Sequence, residues 1–178
     1  MMRIKQHGYV LFVVLIFLQI FILSGLYYLG SALNMLRSAR YYLQQELMFA
    51  VANQRLRELE NLLPTNCLFS LTAATKLGSA SQAWWEKEGC VGDSAGFRYY
   101  YVIESLGLNG CALIKNINNN QLLAAKYSRV TLAMFAPAPS YAKIVIQSTV
   151  VSGSNHPANC DESVYQMNAG RQMWRQLL

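Results

Sequence analysis

The first third of the chain carries two successive hydrophobic patterns, and both predict helix. From Gln6 to Leu36 there is no Asp, Glu, Lys or Arg, and at about 1.5 Å per helical residue this stretch exceeds the roughly 30 Å hydrocarbon thickness of a bilayer. After Leu36 the chain becomes charged, but apolar residues recur with helical spacing as an amphipathic stripe. The stripe consists of Met35, Ala39, Tyr42, Phe49, Ala52, Leu56, Leu59 and Leu63.

Together these patterns predict one continuous helix from Tyr9 to Leu63. No glycine or proline occurs between Ser31 and Leu63, and Pro64 then removes a backbone donor where the helix should stop. Such a helix would be about 80 Å long, far longer than a bilayer requires. We therefore expect its apolar half to project into lipid and its amphipathic half to pack on the rest of the chain.

The remaining residues predict a small α+β domain. The stretch 65–92 has no clear alternation and indicates loops and one short helix, and Gly107-Leu108-Asn109-Gly110 is typical of a turn. Segments dense in aromatic and β-branched residues predict about four strands of an antiparallel sheet laid against the helix. These strands are Gly96–Glu104, Ala112–Lys115, Lys126–Phe135 and Ala142–Ser152, with a proline-containing hairpin loop, 136–140, between the last two.

The formal charge of +6 raises the question of nucleic acid, but the fifteen Lys and Arg residues form no run. Arg98 with the three tyrosines 99–101 could in principle stack on single-stranded DNA. Burial in a strand explains the tyrosines more simply, because alternation places Tyr99 and Tyr101 on one face and Tyr100 on the other. We do not expect DNA to be a partner.

Four cysteines, Cys67, Cys90, Cys111 and Cys160, all follow the apolar segment. Arg3 and Lys5 before that segment favour a cytoplasmic N-terminus, which would place the cysteines in the periplasm. Two disulfides are then the default, whereas the spacings contain no Cys-x-x-Cys pair of the kind that binds zinc. Three connectivities are open. We favour Cys67 with Cys90 and Cys111 with Cys160, because the second pair would tie the tail to the sheet.

Few residues could support chemistry. The two histidines are His7 and His156, so no Ser-His-Asp or Cys-His pair can be assembled. Asp161 and Glu162 are adjacent, but neighbouring carboxylates point in different directions in most backbones. We expect no catalytic, metal or cofactor site and conclude that the protein is not an enzyme.

The N-terminus carries a more specific pattern. Met-Met-Arg-Ile-Lys-Gln-His-Gly is short and basic, ends in Gly8, and is followed at once by an apolar run. This pattern resembles the leader of type IV prepilins, in which a prepilin peptidase cuts after the glycine and methylates the new N-terminus, here Tyr9. Two alternatives are an uncleaved signal anchor and a secretory signal peptide cut near Gly30-Ser31-Ala32, although the apolar run is longer than the roughly 7–15 residues of a signal peptide.

The chain also resembles PilX-type minor pilins of the type IV pilus. The resemblance rests on Gln6-His7-Gly8-Tyr9 with the helix that follows, and on Tyr127-Ser128-Arg129-Val130-Thr131 leading to Ile146-Gln147-Ser148-Thr149-Val150-Val151. It covers about half of the chain, and Trp174-Arg175-Gln176-Leu177 supports it less specifically. It implies a leader (1–8), a membrane and fibre-core half of the helix (9–36), an amphipathic half (37–63) and a periplasmic domain (64–178).

The resemblance further implies a subunit that primes or caps a pilus fibre. Its partners would be prepilin peptidase, the inner membrane, other minor pilins, the major pilin and a large tip adhesin. Most pilins have Glu as the fifth residue of the mature chain, where this sequence has Val13, and a tip pseudopilin of type II secretion also lacks that Glu. We therefore expect a position at or near the tip. The alternatives are a type II secretion minor pseudopilin and an uncleaved bitopic periplasmic scaffold protein.

Overall fold

The computed structural model describes residues 7–63, 65–115, 121–137, 142–154, 160 and 163–177. The chain divides into two compact units, Met1–Gln45 and Glu46–Leu178. His156, Asp161 and Glu162, which the sequence analysis considered for chemistry, lie outside the described residues.

One helix, α1, spans His7–Leu62 without a break. Its end falls within a residue of the prediction, and the next residue, Leu63, adopts a left-handed conformation with φ 38°. The Leu63 amide still donates to the Leu59 carbonyl at 2.8 Å. The helix stops there because Pro64 has no amide hydrogen to continue the pattern.

The second unit contains a sheet of seven strands with two short helices. After a 3-10 turn at Thr65–Cys67 come β1 (Leu68–Phe69), α2 (Ala74–Ser79), α3 (Gln82–Glu88), β2 (Cys90–Ser94), β3 (Phe97–Lys115), β4 (Leu122–Phe135), β5 (Lys143–Gly153), β6 (Tyr165–Met167) and β7 (Gly170–Leu177). The strand order is β1-β3-β4-β5-β7, with β2 and β6 also paired to β3. The predicted α+β class, a long helix packed on a sheet, is confirmed.

The predicted sheet of about four strands is wrong in number, and it is not wholly antiparallel, although β3, β4 and β5 pair antiparallel as predicted. β1 and β6 run parallel to β3, so the sheet is mixed. Both are so short, at two and three residues, that they cannot show the alternation on which a sequence prediction depends. The tail adds a further unpredicted strand, β7, and the segment assigned to loops adds β2.

The predicted turn at Gly107–Gly110 is also wrong, because β3 passes straight through it. Two predicted strands are thus one strand of 19 residues. Its pairing with β4 is irregular between Ser105 and Gly107 and again between Asn109 and Leu113. The glycines mark these irregularities rather than a reversal, and Gly107 has φ +121°, a conformation that favours glycine.

The C-terminal part of α1 packs on one face of the sheet. Met48, Ala52, Leu56 and Leu59 are buried against a cluster from β3, β4 and β5 that includes Ile103, Val130, Leu132, Met134, Ile144 and Ile146. The predicted stripe is therefore confirmed from Phe49 onward. Its first members are exposed instead, with Met35 76% and Tyr42 66% accessible, and the prediction missed Met48, which is 1% accessible.

The opposite face of the sheet lies beneath the segment between Cys67 and Cys90, which we call the covering segment. It carries α2 and α3, whose Leu77 and Trp85 are fully buried on Tyr100, Val102, Ala133 and Val145. A Cys67–Cys90 disulfide closes it at both ends, and Cys111–Cys160 forms the second disulfide. These are the two pairs that the sequence analysis favoured.

Charged side chains of the sheet hold the covering segment by its backbone. Glu104, fully buried in β3, accepts from the Thr72 amide at 2.6 Å and from Arg129 Nε at 2.7 Å, and Arg129 also donates to the Thr72 carbonyl. Lys143 Nζ donates to the Gly78 carbonyl at 2.6 Å and to the Ala80 carbonyl at 3.1 Å. The segment is thus fixed by a disulfide, an ion pair and a lysine as well as by apolar packing.

The tyrosines considered for DNA stacking belong to the core. Tyr99 and Tyr101 pack on the side of α1, whereas Tyr100, 3% accessible, lies on the opposite face and donates to Glu86 at 3.3 Å. Burial raises the pKa of Tyr100, and the nearby Glu86 carboxylate raises it further. The alternation predicted from the sequence is confirmed, since Tyr99 and Tyr101 face α1 and Tyr100 faces the covering segment.

Tyr100 should therefore contribute to an alkaline loss of stability. Because its pKa is raised in the folded state, the neutral phenol stabilises the fold fully below about pH 10, and this contribution is lost as the pH rises through the raised pKa. We expect Tyr100→Phe to make the fall in unfolding free energy above about pH 10 shallower, as measured by urea titration from neutral to alkaline pH. Tyr42→Phe, at an exposed position, is the control, and an unchanged slope for Tyr100→Phe would contradict the assignment.

Candidate membrane-inserted assembly helix

The most unusual surface of the protein is the N-terminal part of α1, whose apolar side chains are uncovered. Tyr9 is 73% accessible, Phe21 74% and Tyr27 76%, and the large side chains between them are similarly exposed. Among the described residues this is the one helix that is long and apolar enough to cross a membrane. A run of this size in water would be strongly unfavourable, so it requires an apolar environment.

Two serines in the N-terminal part of α1 have their hydroxyl groups satisfied within the helix. Ser24 Oγ donates to the Ile20 carbonyl at 2.8 Å, and Ser38 Oγ donates to the Asn34 carbonyl at 3.0 Å. A hydroxyl that is satisfied inside its own helix can enter lipid without leaving an unpaired donor. The serines therefore do not interrupt the apolar surface.

Gly25 and Gly30 do not break the helix. A Cβ added at either position would meet no heavy atom within 4 Å, so the fold of the chain itself does not require glycine there. Glycine at these positions would allow local melting of the helix or close approach of another helix.

The residues that resemble a prepilin cleavage site lie at the start of the described helix. His7, Gly8 and Tyr9 are helical, and residues 1–6 lie outside the described part. Val13 follows Tyr9 by one turn on the same side of α1. No carboxylate replaces the missing Glu nearby, since the first acidic residue of the whole chain is Glu46.

Sequence analysis overlooked a second regularity on α1, which we call the leucine stripe: Leu26, Leu29, Leu33, Leu36 and Leu43. The spacings alternate between three and four residues, and the one position at which a leucine is missing is occupied by Arg40. These are the a and d positions of a heptad repeat. A count of leucines at alternating three- and four-residue spacings would have found the leucine stripe. The overall helical period of the apolar residues indicated the longer amphipathic stripe instead.

Two features of the described residues bear on possible chemistry in the second unit. The described residues contain no group of three or more His, Cys, Asp or Glu side chains that could hold a metal ion. One open cavity of about 610 Å³ is lined by Ser105, Lys126 and Ser152 beside Leu63 and Leu108. Such a lining can donate hydrogen bonds and offer one positive charge, but it contains no acid and base pair.

The described residues form an α+β protein with one long helix whose N-terminal part is apolar and exposed. Comparisons with protein-family models, with curated proteins and with solved structures found no match for this chain. A function therefore has to be assigned from the residues of the chain itself.

Proposed function

We propose that the chain is a non-enzymatic minor pilin of a type IV pilus, held in the bacterial inner membrane before it enters the fibre. The observation that carries the proposal is the junction at Gly8 and Tyr9. A short basic leader ends there at a glycine, and an unbroken 56-residue helix continues from the apolar segment into the core of a disulfide-bonded domain. An ordinary signal anchor would need neither the glycine at this junction nor a helix of this length.

The exposed apolar segment supports this function on energetic grounds. Entering a fibre core from lipid exchanges one apolar environment for another, so the side chains of residues 9–36 lose little free energy in the transfer. The same segment would be strongly unfavourable in water. A subunit with this helix can thus be stored in a membrane and moved into a helical bundle without unfolding.

The two disulfides support a periplasmic location for the second unit. Cys67–Cys90 and Cys111–Cys160 leave no free cysteine. Disulfides form and persist in oxidising compartments such as the periplasm. The basic residues Arg3 and Lys5 favour the same orientation, with the N-terminus in the cytoplasm.

Val13 supports a place at or near the tip of the fibre. In pilins the carboxylate at this position faces the positively charged amine of the neighbouring subunit, and an unpaired charge in an apolar core is costly. We therefore expect that a subunit which lacks the carboxylate has no preceding subunit whose amine it would have to neutralise. The tip is the position where no subunit precedes, so we expect the protein there, in a priming complex with other minor pilins.

Mass spectrometry of the mature N-terminus tests the proposal directly. A chain that begins with methylated Tyr9 is expected, and an intact Met1 would instead favour an uncleaved bitopic scaffold. Gold labelling of an epitope on the second unit then tests the position. Label restricted to fibre tips is expected, whereas label along the shaft would refute the tip assignment, and label on secretion pseudopili would identify a type II pseudopilin.

A further inference from the structure

The leucine stripe is a surface that no other described part of the chain covers. Its leucines are 56–70% accessible, and Arg40 between them is also exposed. The face of α1 that packs on the sheet is a different one, formed by Met48, Ala52, Leu56 and Leu59. Leu26, Leu33 and Arg40 occupy a positions, and Leu29, Leu36 and Leu43 occupy d positions.

Lipid can cover only part of this stripe. Leu26 lies 17 residues after Tyr9, or about 26 Å along the helix, and Leu43 lies about 51 Å along it. A bilayer with roughly 30 Å of hydrocarbon that holds Tyr9 at its inner side ends between these two positions at every usual tilt of up to about 40°, because only a tilt beyond about 54° would bring Leu43 into the hydrocarbon. The outer leucines would then be exposed to water, which favours a protein partner over lipid.

The spacing indicates what kind of surface fits. Leucines at alternating three- and four-residue intervals pack as knobs into holes of another helix, and leucine at d positions is typical of parallel pairs. On this helix each leucine from Leu26 to Gln45 falls at an a or d position. The matching partner is therefore another helix with a similar apolar stripe.

Arg40 argues against a second copy of this chain as the partner. In a parallel pair of identical helices two Arg40 side chains would face each other at an a position, with Arg37 adding positive charge beside them. Arg40 has no ion-pair or hydrogen-bond partner within the described residues. Glu46, the nearest acidic residue on α1, is six positions away and lies on another side of the helix.

We infer that the leucine stripe binds a parallel helix of a different chain, which presents its own apolar stripe and a carboxylate facing Arg40. The parallel direction rests on the proposed function, because other subunits of the same fibre would enter the membrane in the same orientation. The apolar stripe supplies affinity, and the ion pair at Arg40 selects the partner and fixes the register. The result would be a mixed pair of subunits formed before fibre growth.

Energy transfer in phosphatidylcholine vesicles can test this inference with the full-length protein. The probes are two synthetic peptides that copy residues 9–45, one unchanged and one with Arg40→Glu. Donor and acceptor dyes sit at the two N-termini, so that only a parallel pair brings them together. We expect the Arg40→Glu peptide to bind with a roughly fivefold lower dissociation constant, since a repulsion is replaced by an attraction. The preference should reverse when the protein carries Arg40→Glu.

Variants on and off the stripe show whether the leucines carry the binding. In the protein, Leu33→Ala with Leu36→Ala should weaken binding of the Arg40→Glu peptide by roughly tenfold or more, since two apolar contacts are lost. Met35→Ala, at an exposed position between them, should leave it unchanged. Equal binding of both peptides, preference for the unchanged peptide, or no transfer with either would overturn the inference. The vesicles contain neither peptidase nor fibre, so this outcome is independent of cleavage at Gly8.

Discussion

Replacing Gly8 with arginine is expected to abolish leader removal and to leave the protein in the membrane. If the junction is a prepilin cleavage site, the peptidase requires a small residue at Gly8, and an arginine side chain would not fit. The uncleaved Arg3 and Lys5 would then keep the N-terminus on the cytoplasmic side. Mass spectrometry of the N-terminus and immunoblotting of membranes and sheared fibres measure both effects, with incorporation into fibres expected to fall to background.

Gly8→Ala is the matched control, because alanine is also small and should still allow cleavage. Both variants should reach the membrane in similar amounts, since neither alters the apolar segment from Tyr9 onward. If the uncleaved Gly8→Arg protein entered sheared fibres at the normal level, the prepilin interpretation of this glycine would be wrong.

Replacing Glu104 with leucine is expected to destabilise the second unit by about 3–5 kcal/mol, a large part of the roughly 5–15 kcal/mol that stabilises a typical domain. Arg129, whose side chain is 15% accessible, would keep a largely buried charge without a counterion. The Thr72 amide would lose its acceptor as well. Urea unfolding of the full chain in detergent, followed by tryptophan fluorescence from the covering segment, measures the change.

Two further variants separate the ion pair from simple loss of packing. Glu104→Leu combined with Arg129→Met removes both charges and should recover much of the lost stability, because apolar pairs can replace buried ion pairs. Asp93→Asn breaks the exposed pair with Arg98, whose side chains are 70% and 62% accessible. It should change stability little, because an exposed ion pair is screened by water. A loss after Glu104→Leu no larger than that of Asp93→Asn would show that the pair does not hold the covering segment.

Short sequence patterns were sufficient to predict those elements of the fold that depend on neighbouring residues in one continuous segment. The end of the helix followed from uninterrupted apolar spacing and from Pro64, and the observed end at Leu62 lies within a residue of the prediction. The β4–β5 hairpin followed from two segments rich in aromatic and β-branched residues on either side of prolines that cannot join a ladder. The cysteine spacing allowed three pairings, and only the argument that the tail needs a tether favoured the observed one.

Predictions failed where the structure depends on residues that are distant in sequence. β1 and β6 exist because β3 offers them a hydrogen-bonding edge, and two or three residues carry no pattern of their own. In the sequence, Glu104 looks like an exposed residue at the end of a strand. It can be buried only because Arg129 and the Thr72 amide bind its carboxylate, and these groups lie 25 and 32 residues away along the chain.

The sequence by itself determined the long helix, its apolar half, the α+β class and the glycine junction, since these depend on hydrophobicity, backbone chemistry and chain order alone. Only the tertiary structure decided which face of that helix packs on the sheet. It showed the amphipathic stripe to be buried from Phe49 onward and exposed before it, because the sheet covers only the later turns of α1. The leucine stripe thereby became visible as a separate surface, since a helical period alone does not distinguish a face that packs on its own domain from one left for a partner.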